Sequence, residues 1–227
     1  MNLFKLLPYD KSIWLYPNGF CLVDGTGSLR RKSFSYADGD ILSVHAIDFF
    51  QLSSAENTDV AVVLANNAPV IVPDELYLPE NAEKFIELQS DIADLSQTFT
   101  QDVDAYKFLS FISKNENNAL ERIPAKLIFE NYWSLLIRGL RSENQNASIT
   151  AVFVYDTFLD FYIEDKKTIL FVNRINYVKP EDALYHIINI RQQYAVDSSE
   201  MRIYPQNPFP ALKSLVKKYV TPYSWND

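Results

Sequence analysis

The chain has 227 residues, of which 48% are hydrophobic and 22% are charged, a balance that excludes a largely disordered protein and suits two domains of about 100 residues each. Its 21 basic and 29 acidic residues give a net charge of −8, which opposes binding to nucleic acid and to anionic lipid. The single cysteine, Cys21, excludes an intrachain disulfide and a cysteine zinc site. The sequence has no secretory segment and no long apolar run, which predicts a cytoplasmic protein that does not associate with membranes.

The N-terminal part of the chain predicts three short strands followed by a helix. The predicted strands are 12–16, 20–23 and 29–36. Pro17-Asn18-Gly19 separates the first two, and Asn-Gly is the dipeptide that best tolerates the positive φ angles of a tight hairpin. Asp38 or Asp40 can cap the helix that follows. The predicted apolar stripe of this helix comprises Ile41, Val44, Ile47 and Leu52.

The middle of the chain predicts further elements of both kinds. Residues 59–65 form a near-continuous apolar run, as expected for a strand with both faces covered. The other predicted elements are strands 70–72, 105–113 and 125–129 and helices 79–89 and 130–141. Residues 91–100 are predicted to be a polar surface segment and residues 115–118 a loop. We predict an N-terminal lobe over 1–129 and a C-terminal lobe over 130–227, with 130–147 as connecting helix and linker.

Residues 149–194 repeat the order of residues 12–51, because three apolar runs joined by very short turns again lead into a helix that starts at a proline, here Pro180. A strand over 200–204, a helix over 211–220 and an irregular aromatic tail follow. A supersecondary unit that occurs twice predicts two similar lobes, and a cleft between lobes is a common ligand site.

This doubled order resembles the actin-like ATPase fold, which is itself a duplication of the ribonuclease H-like unit. The runs KSIWLYPNGFCL and VYDTFLDFYIEDKKTILFVNRINYVKPEDALYHIINI resemble an uncharacterised bacterial family with that fold and no assigned activity. Its signature F-x-Y-x-x-P-E-D-x-x-Y is matched in part, by Tyr177, Pro180, Glu181, Asp182 and Tyr185. The resemblance implies an α/β protein with two lobes of duplicated βββαβα topology, each a mixed sheet with helices packed on it.

The resemblance also implies where a nucleotide would bind, between two turns that each join the first two strands of a lobe. Such turns need an acid and small residues whose amides reach phosphate oxygens. The first turn offers Asn18 and Gly19 but no acid, and Pro17 lacks an amide donor. The second offers Asp156 and Thr157, with Phe158 in place of a small residue, and residues 204–207 (YPQN) lack the glycine pair expected near an adenosine.

Other candidate motifs have simpler interpretations. The D-G-T-G sequence over 24–27 resembles a phosphate-binding motif, but it lies one hairpin too late and is interpreted as an ordinary turn. His45 and His186 have no cysteine or paired carboxylates nearby and are interpreted as packing or surface residues. Glu181 and Asp182 are interpreted as helix-capping acids. No catalytic residue and no metal ligand is predicted.

Two functional hypotheses follow. The first is a non-catalytic actin-like protein that acts by binding another protein or by self-association, without a cofactor and without nucleic acid. The alternative is a nucleotide-binding ATPase or switch that holds ATP and Mg in the interlobe cleft, with Asn18, Gly19, Asp156 and Thr157 as the candidate residues. A ribonuclease H-like nuclease would need clustered acids on the first strand, and residues 12–16 contain none.

Overall fold

A computed structural model describes residues 7–25, 29–39, 41–53, 58–89, 94–143, 148–194 and 200–226. The chain divides into two compact units, one formed by residues 2–136 and the other by residues 137–227. The division lies within a helix over Tyr132–Glu143. The predicted domain boundary, between residues 129 and 130, lies in the strand before this helix. The two units are described separately below.

The first unit contains two sheets. In chain order its elements are β1 (Lys11–Tyr16), β2 (Gly19–Asp24), β3 (Arg30–Ser35), α1 (Leu42–Phe50), β4 (Asp59–Leu64), β5 (Val70–Pro73), α2 (Ala82–Gln89), β6 (Leu95–Val103), β7 (Tyr106–Ser113), α3 (Lys114–Leu120) and β8 (Lys126–Asn131), followed by α4 (Tyr132–Glu143). The larger sheet has the order β3-β2-β1-β4-β8, with β1 to β3 antiparallel and β4 and β8 parallel to β1. The smaller sheet has the order β5-β7-β6.

Burial explains why β4 lies near the centre of the larger sheet. Every residue of this strand after Asp59 is buried, as the continuous apolar run predicts. Val60, Val62 and Leu64 pack in one core cluster with residues of β1, β2 and α1. A second cluster, centred on Ile86 of α2, covers the smaller sheet. The predicted strand 70–72 forms β5, which pairs with β7 in this smaller sheet.

The second unit has the same strand order as the larger sheet of the first. Its elements are β9 (Ile149–Val154), β10 (Phe158–Asp165), β11 (Thr168–Asn176), α5 (Pro180–Gln193), β12 (Met201–Pro205), α6 (Pro210–Tyr219) and β13 (Tyr223–Trp225). The sheet order is β11-β10-β9-β12-β13, with β9 to β11 antiparallel and β12 and β13 parallel to β9. The predicted fold class, an α/β protein with two mixed sheets of duplicated topology, is confirmed.

Three local predictions were wrong. Residues 95–103 form β6, because pairing along β7 satisfies the backbone of this mostly polar segment and Phe99 stacks on Phe129 of β8. Residues 115–118 lie in α3, which begins with a capping box in which Ser113 and Glu116 satisfy each other's backbone amides. The aromatic tail forms the edge strand β13, since pairing beside β12 satisfies its backbone.

The start of α1 also differs from the prediction. Asp38 lies in a short 3₁₀ turn before the helix, Asp40 lies outside the described residues, and the position before the first helical residue has no side-chain cap. Ile41 and Val44, predicted to face the core, are 55% and 49% exposed. The buried face of α1 comprises Leu42, Ser43, Ala46 and Phe50. The buried face of α1 is therefore shifted by about one residue from the predicted stripe. As a result, the apolar side chains of Ile41 and Val44 contact solvent.

Among the described residues, no helix is both long enough and apolar enough to cross a membrane.

Candidate functional site

The turn between β1 and β2 is shaped by packing against β3. A Cβ atom at Gly19 would lie 2.0 Å from the backbone oxygen of Phe34, a distance no side chain can adopt. Neither Asn18 nor Gly19 has the positive φ that the Asn-Gly pair was expected to adopt. The Asn18 carbonyl oxygen accepts a hydrogen bond of 3.0 Å from the amide of Tyr36. Close approach of neighbouring backbones therefore explains the glycine at this turn.

A cavity of about 660 Å³ lies beside this turn, within the first unit. It is lined by residues from the β1–β2 turn, the start of α1, the segment after β4, the end of β7 and α3. The lining residues are Pro17, Tyr36, Ile41, Leu42, Asn66, Asn67, Phe111, Ser113, Asn115, Glu116 and Ala119. A volume of this size is typical of a site for a small molecule or a few side chains of a partner, roughly 300–1,000 Å³.

The polar wall of the cavity is a connected network around Glu116. One carboxylate oxygen accepts a hydrogen bond of 2.8 Å from Nδ2 of Asn66, and the other accepts bonds of 2.8 and 2.9 Å from the backbone N–H and hydroxyl of Ser113. Nδ2 of Asn67 donates both to Asn66 Oδ1, at 2.7 Å, and to the carbonyl oxygen of Phe111, at 3.1 Å. These bonds link the segment after β4 to the capping box of α3, so the wall is held in place from both sides.

The charge of this wall is negative. Glu116 is the one charged side chain among the described residues that line the cavity. Burial raises the pKa of the Tyr36 hydroxyl above its ordinary range, and the Glu116 carboxylate raises it further, because both disfavour a tyrosinate. Since no lysine or arginine is among those lining residues, a phosphate group placed here would meet a carboxylate and no cation.

The turn between β9 and β10, in the second unit, brings Asp156 together with Asn207. Nδ2 of Asn207 lies 3.1 and 3.0 Å from the two carboxylate oxygens of Asp156, and both residues are exposed. Among the predicted site residues, Asn18 and Gly19 belong to the first unit and Asp156 and Thr157 to the second. The hydrogen bond from Asn207 engages the carboxylate that the alternative hypothesis assigns to the nucleotide site.

Aromatic side chains surround the second turn. The rings of Tyr155 and Phe158 stack with their centroids 4.4 Å apart. The amide of Tyr177 donates to the Thr157 carbonyl oxygen at 2.9 Å, and its hydroxyl donates to the carbonyl oxygen of Tyr155. Burial, and then the charge of Asp156, raise the pKa of Tyr177 to about 12. Tyr177, one of the signature residues, thus has a structural part in holding this turn.

Beneath the turn lies a buried ion pair. Arg174 of β11 donates from Nε and a terminal nitrogen to the two carboxylate oxygens of Asp160 at 2.7 and 2.8 Å. Its guanidinium carbon lies 4.0 Å from the centre of the Phe158 ring. These contacts engage the Arg174 guanidinium group and thereby help to hold Phe158 in place.

The remaining sequence motifs have local partners. In the D-G-T-G sequence the Asp24 carboxylate is buried and paired with Arg30, and the amide of Gly25 donates to the Asp10 carbonyl oxygen at 2.6 Å. Thr26 and Gly27 lie outside the described residues, so the structural interpretation of this motif stays a prediction. The other partners are aromatic: His45 stacks on Phe34, and His186 lies edge-on to Tyr185.

Sequence analysis did not identify Glu116 and Asn66 as members of one site. Their contact joins residues 50 positions apart, which no local pattern can indicate. One signal was present, however. Ser113 and Glu116 have the spacing of a capping box, S-x-x-E, which would have indicated that a helix begins where a loop was predicted.

The profile of the family described as "Protein of unknown function (DUF3822)" matches residues 45–208. The chain belongs to this family. The predicted membership of a family of unknown function is thereby confirmed. No curated protein shows significant sequence similarity to the chain.

Solved structures agree on the fold. A Bacteroides thetaiotaomicron protein with an actin-like ATPase fold and unknown function is similar over 100% of this chain and 93% of its own, with 17% identity and a TM-score of 0.72. The PilM–PilN complex of type IV pilus biogenesis contains a chain that is similar over 96% of this chain and 88% of its own, with 9% identity and a TM-score of 0.58. At these identities the similarity establishes the actin-like ATPase fold alone.

Proposed function

We propose that this DUF3822 protein is a non-catalytic actin-like protein that acts by binding another protein. The observation that supports the proposal is the packing at Gly19, where a Cβ atom would lie 2.0 Å from the Phe34 carbonyl oxygen of β3, so that packing explains this glycine without a bound phosphate. In this fold, a turn that binds phosphate must present its amides to the ligand. Pro17, two residues before Gly19, has no amide hydrogen to offer.

The second turn supports the same conclusion. Asp156 accepts from the Asn207 side chain, and Phe158, whose ring stacks on that of Tyr155, stands where a phosphate-binding turn would need a small residue. No lysine belongs to either turn. With a net charge of −8, the protein would have to bind ATP without a lysine in either turn, and the nearby Arg174 is already paired with Asp160.

The similarity to a chain of the PilM–PilN complex is compatible with this role, since the actin-like fold occurs there in a complex of pilus biogenesis proteins. It does not identify the partner. Self-association is the other form that protein binding can take, and the concentration dependence of the sedimentation coefficient distinguishes a homo-oligomer from a monomer that awaits a different partner.

Calorimetry with ATP and magnesium tests the proposal directly. We expect no saturable heat at physiological nucleotide levels, where a useful site needs a dissociation constant no weaker than about 1 mM, or roughly −4 kcal/mol. We also expect no ATP hydrolysis. Saturable heat that disappears in Asp156→Ala, but persists in the matched control Asp48→Ala on the exposed face of α1, would instead establish the nucleotide-binding alternative. Heat that disappears only in Gly25→Val or Gly27→Val would assign binding to the D-G-T-G motif.

A further inference from the structure

The cavity beside the β1–β2 turn has an apolar wall as well as the polar one. Phe111 and Leu42 are buried at 5% and 3% exposure, and Ala119 lies beside them with part of its surface open. Together with Pro17, these side chains can contact a bound group from several sides. An open cavity with apolar walls gains free energy when an apolar side chain displaces water from it.

The apolar surface continues beyond the cavity along α1. Ile41 lines the cavity, and Val44 lies one turn further along the helix; both are about half exposed, at 55% and 49%. Residues three apart lie on the same face of a helix. Tyr36, which also lines the cavity, is 38% exposed and adds ring surface to it. The binding surface is therefore longer than the cavity, as an extended ligand would require.

The charge of the cavity selects the kind of ligand. Glu116 is the one charged group among the described lining residues, and Asn66, Asn67, Asn115 and the Tyr36 hydroxyl are neutral. Three donors already orient the Glu116 carboxylate, yet none of them neutralises its charge. A cationic group gains a charge-assisted hydrogen bond here, whereas an anionic group is repelled.

From these observations we propose that the cavity binds a short peptide segment of a partner protein, with a lysine or arginine directed at Glu116 and a neighbouring apolar side chain packed against Phe111 and Leu42. The proposal rests on the proposed function, because it names the site and the chemistry of the partner that a protein-binding role requires. A basic segment also complements the net charge of −8 and would be steered toward the protein before contact.

Selection from a phage-displayed library of random heptapeptides tests this chemistry without a known partner. The wild-type protein is the target, and the selected sequences are then synthesised and measured by fluorescence anisotropy. We expect enrichment of sequences with lysine or arginine within two positions of a large apolar residue. Enrichment of acidic sequences, or no enrichment over an uncoated surface, would overturn the proposal.

Two variants then locate the binding site. Glu116→Gln removes the charge but retains a side chain that can complete the capping box, so α3 should form and the selected peptide should bind about tenfold more weakly. Ala119→Leu fills part of the cavity and should weaken binding at least as much. Glu121→Gln removes one acid at the other end of α3, outside the cavity, and should leave affinity unchanged.

The outcomes separate this inference from the proposed function. Peptides that bind Glu116→Gln and Ala119→Leu as tightly as wild type would place the binding site elsewhere, which overturns the inference and leaves a protein-binding role intact. A wild-type dimer that dissociates in Ala119→Leu would make a second copy of the chain the occupant and would also overturn it. Saturable ATP binding in the calorimetric experiment would refute the proposed function itself.

Discussion

Removing one partner of the buried pair of Asp160 and Arg174 should be among the most destabilising single changes in the second unit. The two side chains are 0% and 5% exposed and meet through two hydrogen bonds of 2.7 and 2.8 Å. They lie directly opposite each other on β10 and β11. Removing the carboxylate in Asp160→Ala leaves the Arg174 cation buried without its principal counter-charge, which costs about 3–5 kcal/mol.

The cost follows from burial and not from the presence of an ion pair as such. Lys126 and Asp59 also form a pair, but their nitrogen and oxygen atoms are 3.6 Å apart and the side chains are 64% and 46% exposed. Solvent screens such a pair, so Asp59→Ala should cost less than about 1 kcal/mol. Asp59→Ala is therefore the matched control, since it also removes one strand carboxylate.

Urea unfolding followed by circular dichroism measures both variants, with the free energy of unfolding taken by linear extrapolation. The double variant Asp160→Leu with Arg174→Met should recover most of the loss, because apolar side chains can replace a buried pair at little cost. If Asp160→Ala destabilises the protein no more than Asp59→Ala does, then water reaches the Asp160 carboxylate and the burial argument is wrong.

Three further predictions concern other parts of the chain. Val62→Asp should cost several kcal/mol in thermal melts, since Val62 is fully buried, whereas Val44→Asp on the exposed face of α1 should leave the melting temperature nearly unchanged. Ser113→Ala should lower the free energy of unfolding of the first unit by about 1 kcal/mol in urea, because it removes the cap of α3. The raised pKa of Tyr177, about 12 against an ordinary 10.0, means that the unfolded chain loses this proton first. The protonated Tyr177 hydroxyl therefore contributes fully to stability below pH 10, and this contribution is lost as the pH rises toward 12. The urea midpoint should fall less over that range in Tyr177→Phe than in wild type.

The strand meanders and most helices could be predicted from the sequence because the signals that define them are local. Runs such as 149–154 and 158–165 are separated by turns too short for anything but adjacent antiparallel strands. Pro180 lies at the start of α5, where its missing amide hydrogen costs nothing. The doubling of these signals was enough to indicate the fold, and the family match and the solved structures confirm it.

Tertiary structure decided the features that depend on distant residues. The mostly polar sequence of β6 was predicted to be a surface segment, and it is a strand because β7 pairs with it. Asn66 and Glu116 share a wall of the cavity because α3 follows β7 back to the end of β4. Even Gly19, which the sequence explains equally well as a turn or a phosphate contact, has its reason in the carbonyl of Phe34 on a neighbouring strand. The periodicity of the sequence indicates which side of a helix or strand is apolar. Which other element packs against that side depends on the whole fold.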